Sequence, residues 1–332
     1  MRINRFIGKL GQFKKNLDEC IFTYLTPSSK ASLWMHRGKM VLARMVYGID
    51  YKDYFQCRCD QNPLCSISAI VPFKEQKALW LQVNAADSRV ILSNKYEAYL
   101  HFKDYYQRDV VFVNDKQSEE EFTSFCHTHP RFIVKPLSNR SGRGIQLVNS
   151  DDGSFSFDSL LASYTGGFVA EELIKQDEQL SRFHSESVNT LRINTVNYGT
   201  SVEVKWPCLR IGRGDSVVDN AAAGGVFGAI DIETGIITSV SDEFHHTFTE
   251  HPDSKIPLVG FHVPRWQEAC EMAKSLACLI PDCHFVGWDL ALTDKGWVMV
   301  EGNYRPLLIY QIATGKGIRK EFSDMRKRLL QK

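Results

Sequence analysis

Residues 287–303 read GWDLALTDKGWVMVEGN, two apolar runs joined at Asp294-Lys295-Gly296. Such runs around a short Asp/Gly-containing turn predict a β-hairpin. A three-residue turn centred on Lys295 sets Thr293 opposite Trp297 and Asp289 opposite Glu301, whereas a two-residue turn shifts the pairing. In the first register the two carboxylates stand about 5 Å apart across the ladder. Trp288, Leu290, Val298 and Val300 mark the hairpin as largely buried, where like charges conflict unless a cation lies between them. Asn303 follows on the same face as Glu301. Asp289, Glu301 and Asn303 are hard oxygen donors, the set suited to Mg²⁺, a metal that usually also holds substrate phosphates. The competing register leaves the acids in water.

A second motif is FIVKPLSNRSGRGIQLV, residues 132–148. A strand carrying Lys135 runs into a loop of small and basic residues (Ser138, Asn139, Arg140, Ser141, Gly142, Arg143, Gly144), and another strand follows. Gly142 and Gly144 let backbone N–H groups approach a ligand and form an anion nest. Lys135 shares a strand face with Ile133. The order, Lys before Gly and strand after loop, separates this hairpin from the P-loop. An exposed glycine hairpin with solvated arginines is the plainer alternative. A third segment, FVAEELIKQDEQLSRF, ends a strand in Glu171 and Glu172, continues through Leu173 and Ile174, and reaches Glu178. A strand edge of this kind offers backbone groups to a base, and a following carboxylate can take ribose hydroxyls; an acidic surface linker reads equally from the residues.

The remaining chain is organised around these motifs. Asn94 caps a helix through about Tyr106. DVVFV is a strand, and QSEEEFTSFCHTH is a helix with an acidic first turn, as the macrodipole favours. TLRINTVNYG with SVEVKWPCLRIG, and GGVFGAID with IITSVS, are two further hairpins. PRWQEACEMAKSLACLI is a helix with Pro264 in its first turn and one apolar stripe, Trp266, Ala269, Cys270, Ala273, Leu276, Ala277 and Ile280. Residues 51–66 read as irregular and polar. Hairpins dominate after residue 130, so the fold class is α+β with mostly antiparallel sheets.

Bulk composition narrows the function. Forty basic residues against 39 acidic ones leave +1, too little for nucleic-acid binding by bulk charge. No apolar stretch reaches the roughly 20 residues of a membrane span, and the charged start does not read as a signal peptide. Nine cysteines, an odd number, read as reduced thiols of a cytoplasmic protein. Cys57, Cys59 and Cys65 lack an evident fourth zinc ligand. Residues 1–15 carry five basic side chains and no acid. This stretch reads as a surface helix packed by its apolar stripe, with peripheral contact to an anionic membrane as the alternative. His245, His246 and His251 read as loop histidines rather than a metal cluster.

In this order, FIVKPLSNRSGRGI, EELIKQDE followed by SVNTLRINTV, EFHHTFTEHPDSKIPLVGFHVPRW, and GWDLALTDKGWVMVEGN resemble the ATP-grasp superfamily, and within it the sugar-transfer-associated branch of bacterial polysaccharide biosynthesis. The resemblance implies two antiparallel α+β subdomains clamping ATP, divided here as 89–173 (small subdomain with the lid) and 174–332 (large subdomain with the metal site), after a mainly helical region 1–88. It implies that Lys135 meets the phosphates under a lid spanning Ser138 to Gly144, with Ser141, Gly142 and Arg143 at its centre. Glu171, Glu172, Leu173 and Ile174 would line the adenine and Glu178 the ribose. Asp289, Glu301 and Asn303 would bind Mg²⁺, and Arg192 would contact the transferred phosphoryl group. Lys95 and Lys103 are candidates for a second phosphate lysine. Tyr304-Arg305-Pro306 departs from the branch's usual continuation, and Arg305 is expected to select an anionic acceptor. The implied activity is ATP-dependent carboxylate–amine ligation on a small or sugar-linked substrate, alongside glycosyltransferase or polysaccharide-assembly partners. Phosphoryl transfer to a hydroxyl and a non-catalytic, ATP-binding regulator of a glycosyltransferase are the rival implications.

Overall fold

The computed structural model describes residues 2–138, 144–153, 155–216, 219 and 224–331, with side chains from Gln12 onward except at 64, 65 and 152. The predicted lid residues Asn139 to Arg143 and loop residues Asn220 to Ala223 lie outside the described residues.

The chain opens with α1 (Arg2–Tyr24), α2 (Lys30–Tyr47), α3 (Tyr51–Gln56) and α4 (Leu64–Ile67). These gather on a core of their own, in which Leu17, Ile21, Met40, Ala43, Tyr54 and Phe55 are buried. Ser29 caps α2 by accepting from the Ser32 N–H, and Gly48 ends it in the left-handed region. The stretch 51–66, expected to be irregular, is so only from 57 to 63 and is helical at both ends. Burial of the Tyr54–Phe55 pair, with Cys57 and Cys59, overrides the polar composition of this segment. In α5 (Phe73–Val83), Leu79, Trp80 and Val83 instead join a core with Val196, Phe285 and Phe322. Helices α6 (Ala86–Ser93), α7 (Lys95–His101) and α8 (Lys103–Tyr106) follow. Asn94 caps α7 through the N–H groups of Tyr96 and Glu97. The single helix expected through Tyr106 breaks at Phe102, whose ring turns into the core edge-on to Trp288, with centroids 5.4 Å apart.

A small antiparallel sheet comes next, built from β1 (Val110–Val113), β2 (Arg131–Pro136), β3 (Gln146–Asn149) and β4 (Phe168–Glu172) in the order β1-β4-β2-β3. Helices α9 (Glu119–Thr128) and α10 (Phe157–Ser163) cover one face, packing Phe122, Phe125 and Leu160 onto Phe132, Val134, Phe168 and Ala170. Alternation places Ile133 and Lys135 of β2, and Val169 and Glu171 of β4, on the other face.

After α11 (Glu178–Ser181) the large sheet forms from β5 (Thr190–Asn197), β6 (Val202–Ile211), β7 (Val226–Ile230), β8 (Ile237–Ser241), β9 (Thr247–Phe248), β10 (Phe285–Thr293) and β11 (Gly296–Asn303). Its order is β11-β10-β5-β6-β7-β8-β9, antiparallel throughout. Helix α12 (Trp266–Leu279) covers one face with the predicted stripe, every member of which is buried. Pro264 lies before the helix rather than in its first turn, because Arg265 is left-handed (φ 51°) and its carbonyl accepts from the Trp297 indole. The opposite face is covered in part by α5, α13 (Ile309–Thr314) and α14 (Arg319–Leu330). The rest of that face is the floor of a cleft.

The β10–β11 hairpin resolves the register question in an unexpected way. The turn closes on two residues, Asp294 and Lys295, with Thr293 opposite Gly296. Carried straight along the ladder, that pairing would set Asp289 against Val300. Instead a β-bulge at this point makes Val300 an extra residue and restores Asp289 opposite Glu301.

Candidate functional site

Cross-strand pairing builds the site. Glu301, Asp289 and Arg192 are successive partners across β11, β10 and β5, so their side chains share one face. Arg210 of β6 pairs with Thr190 of β5, two residues from Arg192, and joins the same face. The small sheet presents Lys135 and Glu171 toward them. Between the sheets lies a cleft of about 480 Å³ lined by Lys95, Lys135, Glu171, Arg192, Arg210, Glu301, Asn303 and Arg305.

Asp289 is the centre of the large-sheet wall. Arg192 donates Nε and Nη2 to its two oxygens, the second at 2.7 Å, and Arg210 donates Nη1 to Oδ2 at 2.9 Å. Two guanidiniums thus offset the charge of Asp289. Burial opposes ionisation there, but Arg192 and Arg210 outweigh it and hold the carboxyl at about 2. Arg210 also meets Asp219 at 3.1 Å, and Asp219 accepts from the Thr190 N–H and hydroxyl. Burial pushes the Asp219 carboxyl up against these partners. Asn303 Nδ2 donates to Glu301 Oε1 at 2.9 Å and to Asp289 Oδ2 at 3.4 Å, so the three expected metal-ligating residues are together.

Glu171 is the centre of the small-sheet wall. It accepts from Lys135 Nζ at 2.8 Å and from Arg108 Nε and Nη2 at 2.9 and 2.8 Å. Burial is again outweighed, here by Lys135 and Arg108, and the carboxyl sits at about 2. Arg108 Nη1 reaches across to the Met299 carbonyl of β11 at 2.7 Å, so one side chain ties the two sheets. Lys95 enters from the start of α7, where its N–H donates to the Leu137 carbonyl at the end of β2. Burial lowers the pKa of its ammonium, and Glu301 partly offsets that. Lys103 lies instead over the Tyr99 ring and is not part of the cleft lining.

Not every expected residue converges. Glu172 turns away and accepts from the Asp109 N–H. Leu173 and Ile174 are half-buried and Glu178 is exposed; none of these four lines the cleft. Gly144 is described, with φ 75° and its carbonyl accepting from the Tyr164 hydroxyl, while Ser141, Gly142 and Arg143 lie outside the described residues. His251 is buried and bonds the Gly212 carbonyl, His246 pairs with Asp242, and His245 packs on Tyr24. None of the three lines the cleft.

Sequence reasoning missed Arg108, Arg210 and Asp219. One signal was available for Arg210: it sits in an otherwise apolar run, PCLRIG, on the hairpin partner of the Arg192 strand. A charge buried there requires an acid nearby.

Glycine makes the close approaches possible. A Cβ at Gly302 would stand 2.8 Å from both Leu92 Cδ2 and Trp288 Cζ3, and one at Gly287 would stand 2.7 Å from Pro306. Both positions need glycine for the backbone flanking the acids to pack this tightly.

Two unequal antiparallel α+β halves that meet across a charged cleft, with lysines on one wall and oxygen donors on the other, define an ATP-grasp architecture. The chain belongs to the sugar-transfer associated ATP-grasp family, whose sequence model matches residues 76–327. No curated protein matches it. Among solved structures it is similar to the ATP-grasp ligase PsnB complexed with minimal precursor, Mg and ADP (11% identity, TM-score 0.46, covering 74% of this chain and 62% of that one). It is also similar to the D-alanine–D-alanine ligases of Helicobacter pylori (15%, 0.45, 75% and 63%) and Coxiella burnetii (11%, 0.48, 77% and 64%). The chain thus spans less than two thirds of the length of these structures.

Proposed function

We propose that this protein is an ATP- and Mg²⁺-dependent ligase that joins a carboxylate to an amine on a small or sugar-linked substrate. The reading rests chiefly on the row Glu301–Asp289–Arg192 facing Lys135 across one cleft. Lys135 and Lys95 would take the ATP phosphates. Glu301 and Asn303, with Asp289 behind them, are an oxygen-donor set that fits Mg²⁺. Bound there, the metal would neutralise charge on the β- and γ-phosphates.

Backbone groups at Glu171, Glu172, Leu173 and Ile174 would meet the adenine and Glu178 the ribose. A substrate carboxylate oxygen attacks the γ-phosphorus and ADP leaves, giving an acyl phosphate. The amine nitrogen then attacks the acyl carbon, loses a proton and expels phosphate. Arg192 would steady the transferred phosphoryl group and the tetrahedral oxyanion. Ser141, Gly142, Arg143 and Gly144, as a lid, would exclude water from the acyl phosphate. Arg305, at the cleft mouth with its guanidinium over the Tyr304 ring, would attract an anionic acceptor. The family's association with sugar transfer supports a precursor of a cell-surface polysaccharide as acceptor and a glycosyltransferase as partner.

The test is a screen of carboxylates and amines by mass spectrometry and ADP release. ADP and phosphate appearing only when both substrates are supplied supports ligation. A phosphorylated alcohol formed without a carboxylate overturns it in favour of phosphoryl transfer.

A further inference from the structure

Helix α2 is apolar on two opposite sides. Leu33, Met40, Ala43 and Tyr47 face the N-terminal core. Trp34, Met35, Leu42, Met45 and Val46 face solvent, with Met45 79% and Trp34 65% exposed. At 3.6 residues per turn these five fall within an arc of roughly 120°, completed by Gly38. A surface helix is expected to be polar on that side, and a continuous apolar arc marks a contact surface.

Charge selects the occupant. Helix α2 contains Lys30, Arg37, Lys39 and Arg44 and no acid; Arg37 pairs with Asp18 and Arg44 with Asp50, and on the helical wheel the two lysines flank the arc, Lys39 beside one edge and Lys30 beyond the other. Arg37, next to Lys30, stacks on the Trp34 ring at 4.9 Å. Up to Tyr47 the chain has nine basic residues and two acidic ones, a net of +7; the whole chain totals +1, so everything beyond Tyr47 carries −6. A second copy would bring two basic surfaces together, which charge opposes. An anionic lipid surface matches both parts of the pattern, taking the apolar side chains at the headgroup boundary and the cations against its charge.

We propose that the exposed face of α2, centred on Trp34, Leu42 and Met45, docks this protein peripherally on anionic lipid. The inference is independent of the chemistry assigned to the cleft. The full chain is tested by co-sedimentation with phosphatidylcholine vesicles, with and without about a quarter phosphatidylserine. The expected result is sedimentation with the anionic vesicles only, release by high salt, and a fall in partitioning of about tenfold or more in Met45→Glu/Val46→Glu with unchanged thermal unfolding. The proposal is overturned if the wild type stays in the supernatant, binds neutral vesicles equally, or loses nothing on substitution. A dimer by light scattering that the substitutions convert to monomer would assign the face to a second copy. Retention on an acidic polypeptide but not on vesicles would assign it to an acidic protein. Either outcome also overturns the proposal.

Discussion

Substituting Glu171 by Gln keeps the shape of the small-sheet wall and removes the charge that both Lys135 and Arg108 require. The Glu171 carboxyl sits at about 2 against an ordinary 4.5. At about 1.4 kcal/mol for each tenfold change in proton affinity, the two cations, net of the opposing cost of burial, contribute roughly 3 kcal/mol to the folded state at neutral pH. Removing one partner of a buried pair costs about 3–5 kcal/mol by a separate route, and the Arg108 side chain is only 3% exposed. The expected loss is therefore about 3 kcal/mol or somewhat more. The folded-state value is depressed, so this stability is present in full above the ordinary carboxylate range and is lost as pH falls toward 2. Urea unfolding followed by circular dichroism at several pH values measures it. The gap between wild type and Glu171→Gln should be widest at neutral pH and should narrow below about pH 4.5. A gap under about 1 kcal/mol at neutral pH, or one that does not change on acidification, would refute the reasoning.

Glu301→Gln should abolish Mg²⁺-dependent turnover with the circular dichroism spectrum unchanged, exceeding the about 10–100-fold losses typical of partners one step removed from a metal; retained turnover would remove Glu301 from the site. Lys135→Ala should weaken ATP binding by about 10–100-fold in titration calorimetry, the equivalent of one charge-assisted hydrogen bond; unchanged affinity would place the phosphates elsewhere. Gly302→Ala should destabilise by about 1–3 kcal/mol in urea unfolding, because its Cβ meets Leu92 and Trp288; a neutral result would mean that the two side chains can yield.

Much of the architecture was legible because it follows short-range rules. Strand alternation and turn residues predicted the three hairpins of the large sheet, and helical spacing picked out the buried stripe of α12. Opposition of Asp289 and Glu301 followed from one turn length, although the structure reaches it by a different turn and a bulge. What escaped detection depends on distant partners. Arg108 and Glu171 are 63 residues apart, and Arg210 and Asp289 are 79 apart. No local pattern links such residues, and only the assembled sheets bring them within bonding distance. Glu171 was read for the backbone groups it offers at a strand end, and nothing local announces that its side chain accepts from Lys135 and Arg108.

The bulge at Val300 separates the length of the 294–295 turn from the placement of Asp289 and Glu301. The hairpin can meet the same acidic pair by two routes, a two-residue tip with one slipped residue or a three-residue tip with none. One residue inserted at the tip is therefore absorbed where the ladder is out of step, and Asp289 stays beside Glu301. A residue deleted from β11 between Trp297 and Glu301 takes up the slip in the other way, because the two-residue tip then carries a straight ladder to Asp289 opposite Glu301. The slip thus lets the hairpin gain a residue at its tip or lose one before Glu301 without parting the two acids.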